Sequence, residues 1–249
     1  MTVVLVHGNP ETDAVWDPLA DALGRNDVVR LSPPGFGAPL PSGFPATFLA
    51  YRDWLIDELA GIDQPVDLVG HDWGGCHVVN AMMHRPDLVR SWASDTVGLF
   101  DPDYVWHDMA QAFQTPGVGE QLVEMTQDGS VEERAQQLVT FGIPPDVATS
   151  FAAAQGPEMS HAILAVYRSA RQPALADAGR ALDNAAARPG LSLLATEDPF
   201  VGSDEIRRRA ADRAGARTEV LDGLGHWWMV QDPARGAAAL SRFWKSLGG

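Results

Sequence analysis

Gly70-His71-Asp72-Trp73-Gly74-Gly75 sets an aspartate in a glycine-flanked turn, with an apolar run before it and a helical pattern after it. This is the strand–turn–helix context of a G-x-S-x-G nucleophile elbow, with Asp72 where the serine would stand. Side chains at positions 70 and 74 would strike neighbouring backbone, so glycine is required there. The turn holds its central side chain at the carboxyl ends of the strands, where open parallel sheets bind ligands. The start of the following helix favours a carboxylate. Two further residues come in the order an elbow nucleophile needs, acid and then base. Asp198 follows the run Leu191–Ala195, and His226 follows Thr218–Leu221. Glu197 is the rival acid. His7-Gly8-Asn9-Pro10 follows the first apolar run, and the backbone N–H groups of Asn9 and Trp73 are expected to form an oxyanion hole.

An aspartate decides the reaction class. A carboxylate attacking an acyl carbon gives an anhydride, an uphill product, which disfavours esterase, lipase and protease chemistry. Displacement at an sp3 carbon gives an alkyl ester of Asp72 instead. His226, oriented by Asp198, then activates a water that attacks the carboxyl carbon of Asp72. The oxyanion forms on Asp72 itself, so the hole serves the second half-reaction. This chemistry calls for no cofactor and no metal. Cys76, the single cysteine, reads as inert core.

The elements that must position these groups alternate between strand and helix. Val3–Val6 is a short apolar run of the kind buried on both faces of a parallel sheet. Val28–Leu31, Val66–Val69, Val89–Ser94, Leu191–Ala195 and Thr218–Leu221 read as further strands, with helices between them. The pattern predicts an α/β fold with a mostly parallel, doubly wound sheet. The alternation stops between Leu99 and Arg188, which reads as helical with breaks at Pro116-Gly117, Pro144-Pro145 and Gly156-Pro157. The expected organisation is a core from residues 1–98 and 189–249, with residues 99–188 inserted as a helical cap, or lid.

Composition narrows the partners. The chain has 249 residues and a net charge of −15, so a basic footprint for nucleic acid is missing. No apolar run reaches the roughly 18 residues of a membrane span. The sequence begins without a signal-peptide pattern, so a cytoplasmic location is the expectation. The expected partners are a small apolar substrate and water, with neither nucleic acid nor membrane, in a monomer or homodimer.

The motifs around His7, Asp72, Asp198 and His226 resemble the α/β-hydrolase fold, in its Asp-nucleophile branch of epoxide hydrolases and haloalkane dehalogenases. The resemblance covers the whole chain. G-H-D-W-G-G and the G-H-W around His226 look more like epoxide hydrolases. H-G-N-P looks more like dehalogenases, although Glu11 then fits the H-G-x-P-E form of epoxide hydrolases. Epoxide opening creates an alkoxide that a tyrosine, with a pKa of about 10, can protonate. The resemblance implies two such lid tyrosines. Tyr167-Arg168 matches the second. The first should precede Phe113-Gln114-Thr115-Pro116-Gly117, where Ala112 stands instead; Tyr104 lies upstream as a substitute. Halide loss needs donors rather than a proton, and the resemblance implies Asn9 and Trp73 for that task. Fluoroacetate-type dehalogenation is disfavoured, because the helix after Asp72 has no arginine before Arg85. His77 and His84 on that helix read as packing or surface residues.

Tyr104, Trp106, His107 and Phe113 are candidates for the lid side of the pocket. The resemblance implies one or two strands before Val3–Val6, which are expected to be absent or reduced, so about six strands are expected. The leading expectation is an epoxide hydrolase that gives a vicinal diol. The alternatives are a haloalkane dehalogenase, and a non-hydrolytic binding protein or lyase on the same fold.

Overall fold

Six strands form the sheet: β1 (Val3–Val6), β2 (Val28–Leu31), β3 (Val66–Gly70), β4 (Val89–Ser94), β5 (Gly190–Ala195) and β6 (Ala216–Leu221). The computed structural model describes residues 1–248. In it the strands lie in the order β2-β1-β3-β4-β5-β6, and every neighbouring pair is parallel. The helices are α1 (Asp17–Leu23), α2 (Phe48–Ala60), α3 (Trp73–His84), α4 (Asp108–Gln114), α5 (Val118–Met125), α6 (Val131–Thr140), α7 (Pro145–Ala154), α8 (Pro157–Ser169), α9 (Ala174–Ala178), α10 (Asp204–Arg213), α11 (Trp228–Gln231) and α12 (Pro233–Ser246).

Successive strand residues point to opposite faces, and the core divides accordingly. Val4 and Val6 pack with Leu55, Leu59, Val78 and Met82 of α2 and α3. Val3 and Leu5 pack with Leu19, Leu240 and Trp244 of α1 and α12. All four β1 side chains are fully buried, as expected for a central strand with helices on both faces. The outermost strands β2 and β6 are partly exposed. Helix α2 shows how the sequence sets a boundary. Thr47 accepts the Ala50 N–H at 3.2 Å as its N-cap. Phe48, Tyr51, Leu55 and Leu59 then line its buried face.

The six-stranded count and the doubly wound architecture agree with the sequence reading. The segment between β4 and β5 is helical, α4 to α9 followed by a 3-10 stretch at Gly179–Ala187. Pro116-Gly117 falls between α4 and α5, whereas Pro144 and Gly156 precede α7 and α8, and Pro145 and Pro157 are the first residues of those helices. No helix among the described residues is long and apolar enough to cross a membrane.

Candidate active site

Four loops at the carboxyl ends of β1, β3, β5 and β6 bring Asn9, Asp72, Asp198 and His226 together. Asp72 has φ 51° and ψ −127°, a conformation that L-residues rarely adopt. Strain of this kind costs on the order of 1–3 kcal/mol and persists only where the surroundings over-determine it. Here the Asp72 N–H donates to Asp95 Oδ1 at 3.1 Å, and its carbonyl accepts from the Cys76 N–H at 3.0 Å and Thr96 Oγ1 at 3.1 Å. A Cβ on Gly70 would lie 2.5 Å from the Gly74 carbonyl oxygen, and one on Gly74 would collide with the Val6 carbonyl. The chain therefore has to be bare at both positions.

His226 Nδ1 lies 2.9 Å from Asp198 Oδ2, and Asp198 Oδ1 accepts the Phe200 N–H at 2.9 Å. Burial pushes the Asp198 carboxyl up, but the His226 charge and both hydrogen bonds hold it below its ordinary value. Burial works to lower His226; the charge and hydrogen bond of Asp198 outweigh it and leave the imidazole raised. Glu197, the rival acid, is exposed. His226 Nε2 stands 3.9 Å from Asp72 Oδ1. That is too long for a hydrogen bond and short enough for one water to touch both. Burial raises the Asp72 carboxyl, opposed by His226 and by the Asn9 N–H.

The Asn9 N–H donates to Asp72 Oδ2 at 2.8 Å. Among the described residues the Trp73 N–H makes no hydrogen bond to Asp72, so only the Asn9 half of the expected oxyanion hole is engaged. A Cβ on Gly8 would lie 2.5 Å from the Asp72 Cβ, so this loop can approach the elbow only through glycine.

Behind the elbow lies a charged layer. His71 Nδ1 is 2.5 Å from Asp95 Oδ2 and its Nε2 is 3.0 Å from Glu11 Oε1, all within the buried interior. Burial alone would lower His71, but the two carboxylates raise it well above its ordinary value. Burial likewise works against the Glu11 carboxylate, yet the His71 charge holds it down at about 2. Glu11 also accepts from the Gly8 N–H at 2.9 Å and Trp227 Nε1 at 2.7 Å, and Asp95 accepts from Trp228 Nε1 at 2.7 Å. One ion-paired histidine thus ties the loops after β1, β3, β4 and β6. Glu11, His71 and His226 also have ligand atoms within 4.8 Å of one another. His71 offers no lone pair there, because both its nitrogens face carboxylates that favour the protonated ring.

A cavity of about 200 Å³ opens above Asp72 and His226. Its floor includes Asn9, Pro10 and Trp227, and its roof includes Phe113, Met159, Ile163 and Tyr167 from the helical segment. Tyr167 is 5% exposed, and its ring meets Trp73 edge-on at 5.0 Å. Burial and the nearby Asp72 charge raise its phenol, while the side-chain N–H groups of Trp73 and Asn9 act on its oxygen and pull the other way. His107 also lines the cavity. Its Nδ1 accepts the Ala110 N–H at 3.3 Å, and burial lowers it to about 4, so it is a neutral ring.

Two of the expected lining residues are corrected. Phe113 lines the cavity, but Tyr104 and Trp106 stand behind it and line a separate hollow. The Tyr104 hydroxyl donates to the Phe200 carbonyl at 2.9 Å, and Trp106 Nε1 donates to the Ala170 carbonyl at 3.3 Å. Each polar tip is taken by backbone, which turns it away from Asp72. Tyr104 therefore does not replace the tyrosine missing at Ala112. Cys76 is buried with its thiol pushed up, as expected of core. His77 is buried with its imidazole lowered to about 3 and stacks on Tyr51 at 4.9 Å.

A model described as the alpha/beta hydrolase family matches residues 3–239. The chain belongs to the alpha/beta hydrolase family. Solved structures of similar fold include a haloalkane dehalogenase, DbeA, from Bradyrhizobium elkani. It is 22% identical, with a TM-score of 0.73 over 98% of this chain and 91% of that one. A thermophilic esterase from Thermogutta terrifontis is 18% identical, with a TM-score of 0.71 over 100% of this chain and 91% of that one. At these identities the likeness shows the fold. A mycobacterial protein described as probable oxidoreductase EphD, from Mycobacterium tuberculosis, is 35% identical over 105 residues, 40% of this chain. This alpha/beta hydrolase chain spans only 17% of that relative's length.

Asp95, Arg134 and Gln155 are site-adjacent residues that sequence reasoning did not single out. Asp95 follows β4 directly, a position at a strand end that could have signalled it. Arg134 and Gln155 reach the cavity only through the packing of α6, α7 and α8, which no local pattern encodes.

Proposed function

We propose that this alpha/beta hydrolase opens epoxides to vicinal diols through a covalent ester on Asp72. The observation that supports this reading best is Tyr167, buried in the roof of the cavity whose lining also holds Asp72 and His226. Asp72 attacks an epoxide carbon; the C–O bond breaks, and the oxygen takes the Tyr167 proton as its charge develops. Donors on the phenol oxygen stabilise the phenolate left behind. His226, held by Asp198, then removes a proton from water as that water attacks the Asp72 carboxyl carbon. The oxyanion on Oδ2 meets the Asn9 N–H; on collapse the leaving oxygen of the diol takes the proton that His226 holds, and the proton left on the Asp72 carboxyl returns to the Tyr167 phenolate, which restores both groups. Residues 99–188 serve as the lid, excluding bulk water from the ester.

Haloalkane dehalogenation is the second reading. It is favoured by the residue types at Asn9, in the cavity floor, and Trp73, next to Asp72 in the chain, which could donate to a departing halide, and by dehalogenases of similar fold. Tyr167 in the cavity roof supplies the proton that only epoxide opening needs, which is why epoxide opening leads. The test gives one preparation a panel of terminal epoxides and a panel of bromoalkanes, measuring diol and halide. Diol formation that Asp72→Ala abolishes supports the proposal. Halide release without diol replaces it with the second reading.

A further inference from the structure

Beyond Asp72 the cavity is apolar along Phe113, Met159 and Ile163, and it changes character at its far end. Helix α8 measures the distance. Met159, Ser160, Ile163 and Tyr167 line the cavity from one face of this helix. Seven residues separate Tyr167 from Ser160, which at 1.5 Å per residue is about 10 Å. Ser160 Oγ accepts from Gln127 Nε2 at 2.6 Å, and the Gln127 carbonyl accepts from Arg134 Nη1 at 3.2 Å. Arg134 and Gln155 line the cavity at this end.

Arg134 is incompletely satisfied. A guanidinium has five N–H donors. Three contacts are made, to the carbonyls of Gln127, Gly129 and Ala152 at 3.2, 2.7 and 3.0 Å. Its Nε is buried with no partner. No carboxylate forms an ion pair with Arg134 among the described residues, although the chain holds 33 acidic residues. Gln155 Oε1, on the same wall, is also buried with no partner. The amide oxygen and nitrogen of a glutamine exchange places by rotation, so Gln155 can present a donor there. A guanidinium without a carboxylate partner and an amide on the same cavity wall are side chains suited to hold a carboxylate.

We propose that this end of the cavity, about two turns of α8 away from Tyr167, is a subsite for a substrate carboxylate, held by Arg134 and Gln155. The substrate is then a medium-chain acid with its reactive group at the far end, the apolar chain lying along Phe113, Met159 and Ile163. The identity of that reactive group rests on the Asp72 reading above; the anion subsite does not.

The test uses ligands that cannot react. Octanoate and its neutral counterpart octanamide are titrated by calorimetry against the wild-type protein, Arg134→Gln and Gln155→Leu. The expected result is octanoate bound at least tenfold more tightly than octanamide by the wild type. Arg134→Gln should lose that preference and keep octanamide binding, and Gln155→Leu should reduce the preference severalfold. Arg134 also ties three backbone carbonyls, so its variant is checked by thermal melting. If it does not fold, Arg134→Lys and Gln155→Leu decide, each expected to weaken octanoate selectively. Equal binding of the two ligands by the wild type overturns the proposal. A preference left undiminished in the variants overturns it too, because the anion then sits elsewhere. None of these outcomes depends on whether Asp72 forms an ester, which the epoxide and bromoalkane panels report separately.

Discussion

Tyr167→Phe separates the two leaving groups by chemistry rather than by shape. The substitution keeps a ring that packs 5.0 Å from Trp73 and 5.1 Å from Phe113, so that packing survives. It removes one proton donor beside Asp72. Burial raises the phenol, so the proton is in place throughout an ordinary assay range. A positioned general acid is worth about 10²–10⁴ in rate, or roughly 3–5 kcal/mol of barrier. The expected outcome is a 10²–10⁴-fold fall in the rate of enzyme alkylation by an epoxide, followed in single-turnover mixing, with a small fall in melting temperature. Any bromoalkane that alkylates the wild type should do so at a nearly unchanged rate, because halide leaves without a proton. An unchanged epoxide rate would refute the general-acid role of Tyr167. Equal losses on both substrates would mean that the ring hydroxyl acts through structure.

Three other outcomes follow from the geometry. Asp198→Asn should let Asp72 react but slow ester hydrolysis by on the order of 10²–10⁴. One equivalent of alkyl-enzyme then builds up in the intact mass, and normal steady turnover would contradict it. Hydrolysis needs neutral His226, whose pKa is raised above the ordinary 6.5. The hydrolytic rate should therefore climb with pH through a value above 6.5, and a limb centred below it would count against His226 as the base. Glu11 falls from 4.5 to about 2 on folding. Its stabilisation, about 3 kcal/mol, is present above pH 4.5 and is lost as pH falls towards 2. Melting temperature against pH should show a steep acid limb in that window. Glu11→Gln should lower the curve and flatten the limb, and an unchanged limb would remove Glu11 from the account.

Sequence patterns reached the fold and the main groups because those features are local. Val3–Val6 declares a central strand by its apolar run. Gly70 and Gly74 declare the elbow because any larger residue collides with backbone. Asp198 and His226 declare themselves by order and by their place just past strands. The tyrosines were harder. Tyr104 and Tyr167 both lie in the helical segment, and only packing decides that one hydroxyl meets the Phe200 carbonyl while the other meets the cavity. Asp95 and Glu11 hold His71 from two different loops, a relation that no spacing displays. The polar end of the cavity is less visible still, since Arg134 and Gln155 converge only when three helices pack.

The central claim is that Asp72 carries the substrate as an ester whose hydrolysis exchanges an Asp72 oxygen. A single turnover of an epoxide in oxygen-18 water tests it most directly, with enzyme in excess. An unlabelled diol and one heavy oxygen in the peptide that contains Asp72, found by mass spectrometry, are the expected result. Label in the first diol with none in Asp72 would mean that water attacks the substrate itself, and would contradict the account.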